Sequence, residues 1–390
     1  MVSISKLYLG RAEASDHLRY KRRAAGGAAH GSLARKPVVV WNITSACNLK
    51  CVHCYAEVRD AAGAQALSHA EGRALIDDLA AFGVPVLLLS GGEPLARPDV
   101  LELAAYAAGK GMRVTFSTNG TMIDRAWAAR FKQIGVGYVG ISLDGLRETN
   151  DRFRGVPGAF DRALDGIRAC RAEGVKVGLR YTLTRANLED LPGVFDLIEQ
   201  EDIPRACFYH LVYTGRGKDI TEQDLTHDDT RRALDLIIDR TAAMHRQGAT
   251  REILTVDNHA DGPYLYLRML RERNPDAEKV LDLLRINGGN STGAGIGCVS
   301  WDGTVYPDQF WRTHPLGNVT TRPFSVIWTD PADTLLAQLR DKKSHVPPRC
   351  AACRFLDVCG GNFRARGEAA TGDLWGFDPA CYLTDEEIGI

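Results

Sequence analysis

The chain reads as an α/β protein: a partial, TIM-like (β/α)6 barrel followed by a small C-terminal module organised by cysteines. Three observations predict this. Apolar runs of strand length alternate six times with helix-period segments, which implies a parallel sheet with right-handed crossovers. The runs end in polar or glycine clusters, and in parallel α/β proteins ligands bind at that end of the strands. Cys350, Cys353, Cys359 and Cys381 gather near the C-terminus in a stretch containing Pro, Arg and Gly. Six units suit an incomplete barrel better than a closed eightfold one.

Composition sets the outer limits. The 390 residues are 45% hydrophobic and 25% charged, enough for a large core. With 48 basic and 49 acidic residues the net charge is −1, so no global field favours nucleic acid, and an anionic substrate must be met by local groups. The start, M-V-S-I-S-K-L-Y-L-G, lacks the apolar core of a signal peptide, and no run of about 18 apolar residues could span a bilayer. A cytoplasmic protein without a membrane partner is expected. Ten cysteines at tight spacings in so long a chain point to metal or redox chemistry rather than disulfides.

Residues 1–36 mix basic residues with Ala and Gly and read as an N-terminal arm; Arg22, Arg23 or Lys36 could fold over the site. The barrel is expected over 37–246. Its first strand, around Val38 to Trp41, leads into T-S-A-C-N-L-K-C-V-H-C-Y, where Cys47, Cys51 and Cys54 offer three thiolates. A four-iron cubane so held keeps one iron open, whereas a zinc site would close its tetrahedron, here with His53. Ser68 to Glu71 has capping-box form and Gly83 stops the helix that follows. Strand 84–89 ends in Ser90-Gly91-Gly92-Glu93-Pro94, with a helix after Pro98. Strand 113–117 ends in Ser117-Thr118-Asn119-Gly120, with a helix from Asp124. Strand 138–143 contains Ser142 and ends in Asp144-Gly145, with a helix from about 159. Strand 175–183 carries Arg180, a charge among apolar neighbours that needs a partner. A helix from about 188, strand 206–213 and a helix over 228–245 complete the barrel.

Residues 247–293 read as a bridge with a charged helical stretch around 264–285. The glycine-rich piece 288–297 lacks the ending of a phosphate loop and reads as a turn or substrate-lining loop. The second module is expected over 294–390. Cys170, Cys207 and Cys298 behave as small hydrophobes, with Cys298 the one possible extra ligand.

These motifs resemble the radical S-adenosylmethionine (SAM) enzymes. The resemblance implies a 4Fe-4S cluster on Cys47, Cys51 and Cys54, with SAM on its open iron. It further implies that Tyr55, Gly91, Gly92 and Glu93 meet the cofactor, Glu93 through the methionine ammonium. Ser117, Asn119, Ser142 and Asp144 would hold ribose and methionine, and Arg180 the methionine carboxylate. The C-x2-C-x5-C run with Cys381 resembles the auxiliary-cluster SPASM domain and implies a second 4Fe-4S cluster; a zinc ribbon is the alternative for these four thiolates. Phe363 stands where the full SPASM pattern expects a further cysteine, so one of that pattern's two clusters is expected to be missing.

The phrases P-V-V-V-W-N-I-T, V-G-L-R-Y-T-L-T, F-Y-H-L-V-Y-T-G-R-G, D-N-H-A-D-G-P-Y and D-P-A-C-Y-L-T-D-E-E-I-G-I together resemble the radical SAM proteins of haem d1 biosynthesis. That implies a sirohaem-derived tetrapyrrole, 12,18-didecarboxysirohaem, losing two propionates through a 5′-deoxyadenosyl radical. An external one-electron donor such as a flavodoxin or ferredoxin is implied with it. His210, Tyr213 and Arg216, near the end of the last strand, are the candidate substrate-binding groups. The rivals are oxidative decarboxylation of propionates in an alternative haem pathway, peptide modification, and a non-enzymatic iron-sulfur sensor. Peptide modification is disfavoured because the residues before the first strand are too few for a peptide-recognition domain.

Overall fold

The computed structural model describes residues 1–13, 16–20, 36–56 and 66–390; Arg22 and Arg23 lie outside them. Its sheet comprises β1 (Val2–Ser3), β2 (Val38–Thr44), β3 (Val86–Gly91), β4 (Arg113–Thr118), β5 (Tyr138–Ser142), β6 (Val177–Leu183), β7 (Arg205–His210), β8 (Glu252–Val256), β9 (Ile296–Val299), β10 (Thr304–Tyr306) and β11 (Gly317–Asn318). The spatial order is β1-β8-β7-β6-β5-β4-β3-β2-β9-β10-β11. Strands β2 to β8 run parallel, and β9 joins β2 in parallel before β10 and β11 turn back. The arc stays open, and the strand order carries the sheet from barrel into C-terminal module without a break. This is the expected partial barrel.

All six expected strands are present, and their helices start where the chemistry requires. Ser68 and Glu71 form a reciprocal capping box and Gly83 ends that helix at φ 86°. Asp124 caps the next-but-one helix by accepting from Trp127 N–H. Three elements differ from expectation. The bridge contains β8, whose five residues are all buried and show no alternation for a periodicity argument to detect. The charged stretch after it is two helices, Asp261–Arg271 and Ala277–Asn287, separated at Asn274-Pro275, where proline disfavours continuation. The N-terminal region is not all arm, since Val2 and Ser3 pair antiparallel with Thr255 and Leu254. Lys36 lies against the ring of Phe82, 3.7 Å from its centre, and so packs on a helix rather than over the site.

A filled barrel is closed by layers of inward side chains. Here Gly140 on β5 and Gly178 on β6 face each other in register and leave one wall bare. A Cβ on Gly140 would come 2.8 Å from Arg180 Cδ, and one on Gly178 2.6 Å from the Tyr138 hydroxyl. The glycines thus make room for the side chains of Arg180 and Tyr138, both of which line an interior cavity of about 320 Å³.

Candidate active site

The cysteine loop leaves β2 and is braced on both sides. Lys50 and Val52 N–H groups donate to the carbonyls of Arg154 and Phe153. Arg216 donates its backbone N–H to Cys54 O at 2.9 Å and its Nε to Cys51 O at 2.8 Å. Gly155 and Gly215 pass so close to this loop that a Cβ would meet the carbonyls of Lys50 and Cys54 at 2.6 and 2.3 Å. Both adopt positive φ, so glycine is required twice over. Cys47, Cys51 and Cys54 line one cavity with Tyr55, Gly91, Gly92, Ser117, Asn119, Ser142, Arg180, His210 and Arg216.

Several expected ligand groups are placed otherwise. Glu93 is fully buried and absent from the cavity wall; its carboxylate accepts from Thr118 Oγ1 (2.7 Å), Asn119 N–H (2.8 Å) and Leu95 N–H (3.1 Å). The tight Gly91-Gly92 turn sends the side chain beneath the site, where it ties β3 to the end of β4. Burial raises its pKa against the pull of these donors. Asp144 is also fully buried: it accepts from Thr182 N–H at 2.6 Å and pairs with Arg154 and with His53 at 3.6 Å. His210 borders the cavity, yet its Nε2 meets Asp261 at 3.0 Å, pinning helix Asp261–Arg271 to β7. Tyr213 stands away from the cavity and donates to Asp224 at 2.8 Å. Arg216 serves the cysteine loop. Arg180 has no carboxylate within ion-pair distance among the described residues; its guanidinium lies 4.7 Å from the centre of the Tyr209 ring, where the two cavities meet.

Sequence reasoning missed Arg154. It belongs to the helix Arg147–Arg154, whose sequence R-E-T-N-D-R-F-R has too few apolar residues for periodicity to reveal. Arg154 is buried, and its Nη1 lies 3.6 Å from Cys51 Sγ. Tyr55 bonds Ser90 Oγ at 2.9 Å and Asn42 Oδ1 at 3.2 Å, and its ring packs edge-on against Phe310 at 4.9 Å, joining barrel to module.

The residues fit an iron-sulfur cluster here. Burial drives the Cys47 thiol up to about 12 and raises Cys51, so each would be held as a thiolate only with a bound cation in place of its proton. Leu49 N–H, 3.4 Å from Cys47 Sγ, and Arg154 supply donors to sulfur of the kind that tune such clusters. Cys350, Cys353, Cys359 and Cys381 ring a second cavity. Donors reach three of these sulfurs: Asn362 N–H to Cys359 (3.1 Å), Phe355 N–H to Cys353 (3.3 Å) and Arg349 Nη1 to Cys381 (3.7 Å). Cys298 is fully buried on β9 beside Asn42 and borders neither cavity. Phe363 packs on Phe310 at 5.6 Å, so an aromatic contact fills the place of the missing cysteine.

Residues 41–198 match the radical SAM superfamily, and residues 294–354 match an iron-sulfur cluster-binding domain, SPASM. The chain belongs to the radical SAM superfamily and is an enzyme that cleaves SAM, with a 4Fe-4S cluster and an auxiliary iron-sulfur cluster. It is 57% identical over 100% of its length, and 99% of the relative's, to Fe-coproporphyrin III synthase of Methanosarcina barkeri. It is 43% identical to pre-heme d1 synthase of Dinoroseobacter shibae, over 91% of this chain and 88% of that one. The structure of Streptococcus suis SuiB bound to precursor peptide SuiA shares the fold, with a TM-score of 0.71 at 19% identity, covering 90% of this chain and 76% of SuiB. Among the described residues no helix is long and apolar enough to cross a membrane.

Proposed function

We propose that this enzyme acts on a sirohaem-derived iron tetrapyrrole and forms iron-coproporphyrin III. The 57% identity to Fe-coproporphyrin III synthase over the whole chain carries this reading. Removal of two propionates toward haem d1 is the second reading, supported by the 43% relative and by the motifs quoted above. The two differ in which arms are lost. Iron-coproporphyrin III keeps all four propionates, so forming it from 12,18-didecarboxysirohaem requires loss of the two acetate arms.

With cluster and SAM bound at Cys47, Cys51 and Cys54, the site supplies a 5′-deoxyadenosyl radical able to take hydrogen from a side-chain carbon. The chain's own residues place and shield that event. Gly91 and Gly92 let backbone approach the cofactor, and Ser117, Asn119 and Ser142 offer donors and acceptors at the strand ends. Arg180 offers a carboxylate its bidentate fork. Arg154 balances thiolate charge at Cys51. Cys350, Cys353, Cys359 and Cys381 hold the second cluster, which suits return of a surplus electron. An external one-electron donor such as a flavodoxin or ferredoxin would supply reducing equivalents, and ten cysteines outside any disulfide suit the reducing cytoplasm.

Anaerobic incubation of reconstituted protein with SAM, reductant and 12,18-didecarboxysirohaem, followed by mass analysis, tests this. A porphyrin retaining four propionates is expected. A product lacking two propionates would replace this reading with the haem d1 one, and an untouched tetrapyrrole would sink both.

A further inference from the structure

The floor of the barrel cavity carries more positive charge than its neighbours require. Arg113 begins β4, Tyr138 begins β5 and Arg205 begins β7, and all three line the cavity far from the cysteine loop. Arg205 and Arg19 both reach the carboxylate of Glu252, at 3.3 and 2.8 Å, and Arg19 also meets Asp16 at 3.3 Å. Among the described residues Arg113 makes one side-chain hydrogen bond, Nη2 to Gly137 O at 3.3 Å, and has no carboxylate within ion-pair distance. Arg205 Nε and the Tyr138 hydroxyl are buried without a hydrogen-bond partner, with Arg205 lying 4.6 Å from the centre of the Tyr138 ring. Buried donors left unpaired are destabilising, so such a cluster points to a ligand that satisfies it.

We infer that Arg113, Arg205 and Tyr138 form a carboxylate-binding subsite that receives an acidic arm of the tetrapyrrole on the side away from the reacting one. The inference rests on the tetrapyrrole reading above. Four residues of strand separate Arg113 from Ser117 at the cofactor end, about 13 Å at strand rise. A macrocycle standing edgewise in this cavity, which meets the cysteine-lined one at Arg180 and Tyr209, would therefore have one edge at the radical source and its far carboxylates on the floor. Such a subsite would fix which arm reaches the radical.

The test is equilibrium binding of iron-coproporphyrin III, followed by its visible absorption, to the reconstituted protein and its variants. Arg113→Met should bind the tetra-acid about tenfold more weakly, and Arg113→Lys should recover most of that loss. Tyr138→Phe, the milder change, should weaken it about threefold. The tetramethyl ester, which lacks the anionic arms, should bind wild type and all variants alike. If Arg113→Met and Tyr138→Phe bind the tetra-acid as wild type does, the subsite is refuted while the tetrapyrrole reading stands. Equal losses for acid and ester would show a change of cavity shape and refute it too. Failure of the wild type to bind the tetra-acid at all would remove the tetrapyrrole reading and the subsite with it.

Discussion

At the residue scale the most exacting position is Asp257, directly after β8. It sits at φ 66°, borders both cavities and leaves Oδ2 buried without a partner. Burial pushes its carboxyl up to about 6, against a pull from the chain's N-terminal amine and Arg366. A folded-state value above the unfolded one means the native state holds the proton longer, so stability falls as pH rises from the ordinary carboxyl range through about 6. Asparagine tolerates positive φ and carries no charge. Asp257→Asn should therefore stabilise the cluster-loaded protein by at most about 3 kcal/mol near pH 8, and by less near pH 5. Denaturant midpoints at the two values check this; an equal gain at both would contradict it. Neither the charge state nor the backbone twist of Asp257 is legible in D-N-H-A-D-G, because both depend on how the surrounding fold buries and turns the residue. The cysteine loop is legible because ligand spacing is local. Glu93, Asp144 and His210 lie at or just past strand ends, as the sequence suggests, but where their side chains turn depends on the neighbouring strands.

At the scale of elements, the join between barrel and module depends on Arg366. Its guanidinium, fully buried, meets both Asp378 oxygens at 2.8 and 2.9 Å and donates to Leu211 O and Asp257 O at 2.9 Å. One side chain thus fastens the C-terminal segment to the ends of β7 and β8. Arg366→Met leaves the buried Asp378 carboxylate without its cation and should cost about 3–5 kcal/mol in stability. Loss below about 1 kcal/mol by denaturant melt would show that the pair is not needed for docking. The close approach of Arg180 to Gly140 makes a second prediction at this scale. Gly140→Leu should displace Arg180 into the cavity, weakening tetrapyrrole binding while leaving the absorption of the cluster at Cys47, Cys51 and Cys54 intact. Tetrapyrrole binding unchanged in that variant would place the ligand elsewhere. The six barrel strands were readable because each apolar run ends in a polar cluster. β8 and the helix Arg147–Arg154 were not, one being uniformly buried and the other nearly devoid of apolar residues.

For the whole molecule, two cysteine sets lining two separate cavities imply separable duties. Cys353→Ala should retain SAM cleavage under reductant yet yield no tetrapyrrole product, read by chromatography of nucleoside and macrocycle together. Full product from that variant would remove the auxiliary cluster from the reaction. The chemistry at the barrel mouth is tested most directly by isotope transfer. With 12,18-didecarboxysirohaem deuterated on its acetate and propionate methylenes, 5′-deoxyadenosine formed during turnover should carry deuterium, with transfer lost in Cys51→Ala. Unlabelled 5′-deoxyadenosine alongside consumed substrate would contradict radical abstraction from these arms.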